Sequence, residues 1–171
     1  MSSDLRIVTP DGADDMAALR MLCWAYRDYL LNLSPVSTEI FQAIYPDDAY
    51  RQILNELKGK HQPPAGIMRL AKLDRLPIGC GMVQSHGPGD AEIKRVYVSP
   101  DARGMGAGRL LMDQLIADCR DLGFRRILMD TAKPLIKAQA LYDEMGFSRR
   151  GPYQAVPELA KDFLVFFEMH L

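Results

Sequence analysis

The sequence has few cysteines, no long apolar run and almost no net charge, and each absence excludes a class of protein. Its 171 residues carry 21 basic and 22 acidic side chains, whereas proteins that bind nucleic acid usually have a basic excess. No apolar run approaches the roughly 20 residues of a membrane-spanning helix. The first residues contain no basic stretch leading into an apolar segment, so no secretory signal is predicted. We therefore expect a cytoplasmic protein that acts on neither nucleic acid nor membrane.

The cysteines and histidines predict neither disulfides nor a metal site. Cys23, Cys80 and Cys119 are odd in number and far apart, which does not suit a disulfide framework. Their apolar surroundings predict buried free thiols in a reducing compartment. The three histidines are equally scattered, and no close pair of histidine and cysteine suggests a zinc ligand set. No nucleophile-elbow pattern indicates a catalytic serine.

What is present is typical of a globular protein with an uneven distribution of charge. Hydrophobic residues make up 48% of the chain and charged residues 25%, and the length predicts one domain spanning residues 1–171. Residues 11–58 contain 4 basic and 8 acidic side chains, whereas residues 91–150 contain 11 basic and 8 acidic ones. Solvated faces explain this asymmetry without any ligand; as a functional signal, the second segment favours an anionic ligand and the first a cationic one.

Hydrophobic periodicity predicts helices interspersed with strands. Helical spacing of apolar residues occurs over 14–31, 50–57, 111–122 and 135–145, with Gly59 closing the second helix and Gly123 the third. Strands are predicted over 5–8, 67–73, 78–84, 91–98, 126–130, 147–153 and 163–171. Because the helices lie among both hairpins and a strand-helix-strand crossover, the expected class is α/β with a mixed sheet.

The most informative segment is the glycine-rich run 103–108, between a predicted strand and a predicted helix. Glycines let the backbone turn tightly and approach a ligand, and the following helix presents unpaired N–H groups at its positive end. Such a loop suits a phosphate. A nucleotide P-loop is excluded, because Gly108 precedes Arg109 and Leu110 instead of Lys and Ser or Thr. A dinucleotide fingerprint also fails, because Arg109 or Leu111 stands where its third glycine belongs.

The loop instead fits the pattern Arg-x-x-Gly-x-Gly, filled by Arg103, Gly106 and Gly108. Together with other segments in matching order, it makes the sequence resemble the GNAT superfamily of acyl-CoA-dependent N-acyltransferases, most strongly over 66–153. The resemblance implies an α/β fold whose mixed, mostly antiparallel central sheet is splayed into a V and flanked by helices on both faces. It also implies acetyl-CoA as cosubstrate, no metal, and direct acetyl transfer to an amine in a ternary complex. The other segments that carry the resemblance are 92–100, 126–131 and 138–147.

The resemblance also implies a cofactor site made largely of backbone. The pyrophosphate of coenzyme A would lie on the backbone amides of residues 103–109. The pantetheine arm would pair with the backbone of residues 96–98, in a strand that splays from strand 126–130. Arg109 and Lys137 are candidates to contact the remaining phosphate. Leu135 stands where many family members have an asparagine that contacts the cofactor, which puts that contact in doubt. The implied cofactor-binding residues are Val96, Tyr97, Val98, Arg103, Gly104, Met105, Gly106, Ala107, Gly108 and Arg109.

Two catalytic roles follow from the same resemblance. Tyr142, in the motif Leu-Tyr-x-x-x-Gly-Phe, is the candidate acid for the leaving thiolate; alternatively, its ring fills a helix–sheet contact. Glu92, beside the splayed strands, is the candidate base, directly or through water; alternatively, it is an exposed carboxylate at a strand end. Lys94 or Arg95 could pair with Glu92 or bind an acidic part of the acceptor, and the sequence does not decide between these uses.

The acceptor itself is not identified by the sequence. A small amine, an amino acid, an antibiotic, a peptide N-terminus and a protein lysine all remain open, and the acidic balance of residues 11–58 favours a cationic amine. Arg149, Arg150 and Tyr153 are candidates to line the acceptor side, with solvated surface as the alternative for both arginines. A homodimer is left open, and so is a non-catalytic acyl-CoA-binding sensor or partner module.

Overall fold

The computed structural model describes residues 4–171, which form a seven-stranded sheet with flanking helices. The strands are β1 (Leu5–Val8), β2 (Gly66–Leu73), β3 (Leu76–Gly87), β4 (Asp90–Val98), β5 (Arg126–Ala132), β6 (Ser148–Arg150) and β7 (Leu164–His170). The helices are α1 (Gly12–Leu31), α2 (Pro35–Ile44), α3 (Asp47–Asn55), α4 (Leu57–Lys60), α5 (Ala107–Asp121) and α6 (Ile136–Glu144).

The sheet is open and mostly antiparallel, in the order β1-β2-β3-β4-β5-β7-β6. Within the described part of the chain, the pair β4–β5 is its one parallel pair. The expected α/β class with a mixed, mostly antiparallel sheet is therefore confirmed. All seven predicted strands and all four predicted helices are present, although some of their bounds differ.

Helix α2 lies in a segment for which the sequence analysis predicted no element. Its N-terminus is fixed by Ser34, whose hydroxyl accepts a hydrogen bond from the amide of Ser37 (3.1 Å), while the hydroxyl of Ser37 accepts from the amide of Ser34 (2.7 Å). Pro35 occupies the first helical position, where its missing N–H costs nothing. This reciprocal cap uses serine in place of the usual Glu or Gln, so the common capping pattern did not reveal it.

Two predicted boundaries are wrong. The second helix, predicted from its period over 50–57 with Asp47 as its cap and Gly59 as its end, begins at Asp47 itself, changes direction at Glu56 and continues through Gly59 as α4. The strand predicted over 147–153 is only three residues long. It stops before Gly151 and Pro152, because proline has no N–H to donate to a neighbouring strand.

The core consists of packed layers on the two faces of the sheet. Helix α1 packs on one face, where Leu19 and Cys23 belong to the same buried cluster as Leu70 and Met82 of β2 and β3. Helices α5 and α6 cover the other face, with a cluster that includes Met112, Leu115, Ile127 and Phe167. The three cysteines are buried and free, as predicted. Over residues 4–171, no helix has the length and apolar character needed to cross a membrane.

Strands β4 and β5 part after a short ladder, and this opening shapes the molecule. They pair only from Asp90 opposite Arg126 to Glu92 opposite Leu128. The closed end is held by Arg126, whose guanidinium donates two hydrogen bonds to the Asp90 carboxylate (2.6 and 3.0 Å). Beyond Glu92, β4 continues to Val98 without pairing to β5, so the predicted V-shaped splay is confirmed.

Candidate functional site

Two connected spaces occupy the opening between β4 and β5. An inner cavity of about 150 Å³ lies among β4, β5 and α1–α3 and is lined in part by Glu92, Asp130 and Tyr142. An outer cleft of about 500 Å³ runs from the end of β4 to the start of α6. Tyr26 and Val96 line both spaces, so the two meet at these side chains. The inner cavity and the outer cleft therefore adjoin along β4.

The glycine loop turns directly into α5 and leaves its backbone accessible. Gly104 and Gly106 have φ angles of +82° and +83°, a conformation that favours glycine, and a Cβ on either would meet no atom within 4 Å. The first main-chain hydrogen bond of α5 runs from Leu110 N to Gly106 O (3.1 Å). The amides of residues 107–109 consequently have no acceptor in the preceding turn. This exposed set of N–H groups suits an anion.

Arg103 connects the loop to the outer cleft. Its guanidinium lies over the ring of Tyr29, 4.6 Å from the centroid, and its Nε donates to the carbonyl of Val98 (3.2 Å). The carbonyl at the end of β4 is thus already used by a side chain. Because a carbonyl oxygen can accept a second hydrogen bond, this contact does not block pairing at that strand edge.

The other predicted cofactor contacts are spread along the same cleft. Leu135 and Lys137 line it near the start of α6. Met105 is exposed, and Arg109 is half exposed with its Nη1 3.6 Å from Glu144 Oε2. Val96, Tyr97 and Val98 line the opposite wall. The structure therefore brings the strand edge and the start of α6 to one groove, with the glycine loop continuing it.

Glu92 is buried and strongly hydrogen-bonded. Only 2% of its surface is exposed, so the alternative of an exposed strand-end carboxylate is wrong. Its Oε1 accepts from Gln84 Nε2 (2.8 Å) and lies 3.4 Å from Lys94 Nζ, while Oε2 accepts from the Tyr153 hydroxyl (2.7 Å). Glu92 is the third residue of β4 and the last one that pairs with β5. It is buried because it lies where the two strands are still joined.

Asp130 forms a second acidic group beside Glu92, which the sequence analysis did not select. The Tyr153 hydroxyl that donates to Glu92 also lies 3.5 Å from Asp130 Oδ2, and thus bridges the two carboxylates. Burial raises the pKa of Asp130, the nearby Glu92 raises it further, and the positive charge of Lys94 opposes the shift. Burial and the same two carboxylates raise the pKa of Tyr153.

Tyr142 both packs in the core and faces the inner cavity. Its ring makes edge-on contacts with Phe147 and Phe167, at centroid distances of 6.0 and 5.5 Å. Burial, aided by the charge of Asp130, raises the pKa of its hydroxyl, so the group stays protonated at neutral pH. The ring of Tyr142 therefore fills the helix–sheet contact that was offered as the alternative, and its role as the acid stays a prediction.

The family assignment follows from comparison with known proteins. Residues 24–147 match the family model described as "Acetyltransferase (GNAT) family". The chain belongs to the GNAT family. An N-acetyltransferase of Schizosaccharomyces pombe is 35% identical over 124 residues, which cover 70% of this chain and 76% of the relative. The match to the family model begins in α1, so it covers more of the chain than the region 66–153 in which the sequence resembled the family most strongly.

Solved GNAT structures share the fold over nearly the whole chain. An acetyltransferase of the GNAT family from Staphylococcus aureus superposes with a TM-score of 0.76 at 17% identity, covering 98% of this chain and 99% of that one. An N-acetyltransferase from Thermoplasma acidophilum, solved in complex with coenzyme A, gives a TM-score of 0.67 at 13% identity, with full coverage of both chains. The expected GNAT fold is thus confirmed.

Two arginines of this GNAT protein lie away from the site. Arg149 is half exposed and bonded to Asp143 (2.7 Å), and Arg150 pairs with Glu168 (2.7 Å). Neither lines the cavity or the cleft. Arg149 is exposed, as the surface alternative held, whereas Arg150 is only 26% exposed and its guanidinium carbon lies 6.0 Å from the centroid of the Tyr153 ring. Tyr153, suggested with them, lies at the carboxylate pair instead. Across residues 4–171, no group of three or more potential metal ligands occurs.

Proposed function

We propose that this GNAT protein transfers the acetyl group of acetyl-CoA to a primary amine, by direct transfer in a ternary complex. The observation that carries the proposal is the opening of the sheet beyond Glu92, where the outer cleft and the inner cavity lie next to each other. A long ligand with an anionic end suits the cleft and the glycine loop. An amine suits the inner cavity, where two carboxylates lie.

The backbone of residues 103–109 would hold the pyrophosphate of coenzyme A, because the amides of residues 107–109 have no acceptor in the preceding turn and lie at a helix N-terminus. The edge of β4 from Val96 to Val98 would pair with the pantetheine arm, since β5 has left that edge free. The coenzyme A in the Thermoplasma acidophilum relative supports this choice of ligand. The excess of basic over acidic residues in 91–150 also suits a ligand with several phosphate charges.

Glu92 would take the proton of the acceptor, directly or through water, within the pair that it forms with Asp130. The acceptor reaches the cavity as an ammonium ion and attacks only after losing a proton. Gln84, Tyr153 and Lys94 hold Glu92 in place, while burial raises the pKa of the neighbouring Asp130. Two carboxylates with one bridging hydroxyl can share one added proton, which then passes to solvent.

Tyr142 would protonate the departing sulfur. As the amine nitrogen bonds to the carbonyl carbon, the carbon–sulfur bond breaks and the thiolate takes the hydroxyl proton of Tyr142, which is later replaced from solvent. The high pKa of a buried tyrosine opposes this transfer, but the same burial raises the pKa of a thiol formed beside it.

Calorimetry with coenzyme A and a thiol-release assay with acetyl-CoA test this function. The assay uses a panel of amines, amino acids and peptides as acceptors. Binding of coenzyme A together with amine-dependent thiol release is the expected result. Binding without release across the panel would favour the non-catalytic sensor. Failure to bind coenzyme A, or tighter binding of ATP, would contradict the proposal.

A further inference from the structure

Arg95 is placed in an unusual way on the wall of the inner cavity. The pairing of β3 with β4 passes from Cys80 opposite Tyr97 to Met82 opposite Lys94, so Arg95 lies in a bulge. Its φ angle is +53°, a left-handed conformation that long side chains seldom adopt. A bulge of this kind redirects a side chain, and here the side chain that it redirects lines the cavity.

The guanidinium of Arg95 has no carboxylate partner within 4 Å among residues 4–171. Its Nη1 donates only to the sulfur of Met82 (3.6 Å), and its carbon lies 5.9 Å from the centroid of the Tyr50 ring. A sulfur and a ring face are weak partners for a group with five donors.

The other two basic side chains of the cavity are neutralised, which makes Arg95 distinct. Arg27 donates to Asp47 (2.7 Å) and to the carbonyl of Tyr45 (2.8 Å). Lys94 pairs with Glu92 (3.4 Å). Arg95 is therefore the one basic group lining the inner cavity, within the described chain, whose charge no carboxylate balances.

We infer that Arg95 binds a carboxylate of the acceptor, so that the acceptor is an amino acid or a similar amine with an acidic group. This inference rests on the proposed function. A half-buried guanidinium among aromatic rings gains strongly from a charge-assisted, two-pronged contact with a carboxylate. Tyr26, Tyr45 and Phe41 line the same space and suit an apolar or aromatic body. The carboxylates Glu92 and Asp130 then receive the amine.

The acidic balance of residues 11–58, which favoured a cationic acceptor, does not apply to this cavity. None of the eight acidic side chains in that segment lines it, and all but Asp15 are exposed. Asp47, which neutralises Arg27, lies on the outside, with its side chain 73% exposed. The charge that a ligand meets is set by the side chains on the cavity wall, and those include an unbalanced cation.

The test compares acids with their amides as acceptors in the thiol-release assay. Phenylalanine and phenylalaninamide, and the matching pairs for tryptophan, leucine and β-alanine, differ in the carboxylate charge and in the pKa of the amine, which is lower in the amides. The rates of each pair are therefore compared per neutral amine. We expect kcat/KM to favour the acid by about tenfold to a hundredfold in at least one pair, the range of a charge-assisted hydrogen bond. R95Q should abolish that preference, R95K should keep part of it, and the Kd for coenzyme A should stay unchanged.

Arg51 provides the matched control, because it lies on the exposed side of α3 and pairs with Asp48. R51Q should keep the full preference for the acid. Equal rates for acid and amide in every pair, or a preference that survives R95Q, would overturn the inference. Normal binding of coenzyme A with no acid-dependent turnover would also overturn it and leave the proposed function standing. Loss of coenzyme A binding in the parent protein would reject the proposed function itself. If R95Q does not fold, the ratio in the parent protein still decides.

Discussion

Replacing Gly106 by alanine separates backbone strain from ligand binding better than any other change in the loop. Gly106 has a φ angle of +83°, and so does Gly123, which follows the other end of α5. An added Cβ would meet no protein atom within 4 Å at either position. G106A and G123A therefore impose the same kind of conformational cost and no steric clash within the protein, but only the first lies at the proposed phosphate site.

The size of both effects follows from the conformation. A non-glycine residue in the left-handed region costs about 1–2 kcal/mol, so each variant should lose that much free energy of unfolding. At Gly106 the new methyl group also faces the place where the pyrophosphate would lie. Loss or lengthening of one charge-assisted hydrogen bond costs about 1.5–3 kcal/mol, which corresponds to a rise in Kd of about tenfold to a hundredfold.

Urea unfolding and calorimetry with coenzyme A measure these two quantities on the same proteins. We expect both variants to be destabilised to a similar degree, while only G106A loses affinity for coenzyme A. An unchanged Kd in G106A would refute the assignment of the loop as the phosphate site. An equal loss of affinity in G123A would show that the effect comes from a weakened α5 instead of a blocked site.

Three further substitutions test the inner cavity. Y142F keeps the ring contacts in the core, so stability should change little while kcat falls by about 10²–10⁴-fold, with the Kd for coenzyme A unchanged; a kcat within a few-fold of the parent would make Tyr142 a packing residue only. E92Q should lower the rate at neutral pH and recover part of it as pH rises, because more of the acceptor amine is then already neutral; a pH–rate profile parallel to that of the parent would reject Glu92 as the base. D130N should raise the free energy of unfolding at pH 7. The raised pKa of Asp130 means that its carboxyl group binds a proton more tightly in the folded state than in the unfolded state. The stability that this proton contributes is therefore lost as pH rises from about 4 through the pKa of the folded state. Urea unfolding of D130N that follows the parent's dependence on pH would contradict this.

The parts of the fold that the sequence predicted well are those with regular local signals. The glycine loop, the strand before it and the helix after it appear as expected, because Gly104 and Gly106 are required by their positive φ angles. Helix α2 was missed because its cap is formed by two serines, without the Glu or Gln that marks the common capping pattern. The strand after α6 was overextended to Tyr153, past the glycine and proline at which the ladder ends.

The candidate site shows a similar division. Tyr142 and Glu92 were found from motifs, and both line the inner cavity. Asp130 and the true place of Tyr153 were not found, because their meeting depends on β5 and the 151–163 segment approaching β4 in space. No spacing along the chain signals that contact. An acidic residue near the end of a strand beside the splay was the only available hint.

In the proposed site, backbone groups hold the cofactor and side chains hold the acceptor. This difference explains why the acceptor is hard to identify from the sequence. Phosphate and pantetheine would be held by backbone groups, whose requirements appear in the chain as glycines and as a strand that ends early. The acceptor would be held by side chains from α1, α2, β4 and β5, which any sequence can supply in many combinations. Arg95 is an example. The sequence shows that an arginine is present, but its proposed role in binding the acceptor depends on the bulge that directs it into the cavity and on the absence of a carboxylate within 4 Å of it in residues 4–171. Substrate choice in this protein can therefore change through a few cavity side chains while the loop and the strand edge stay the same.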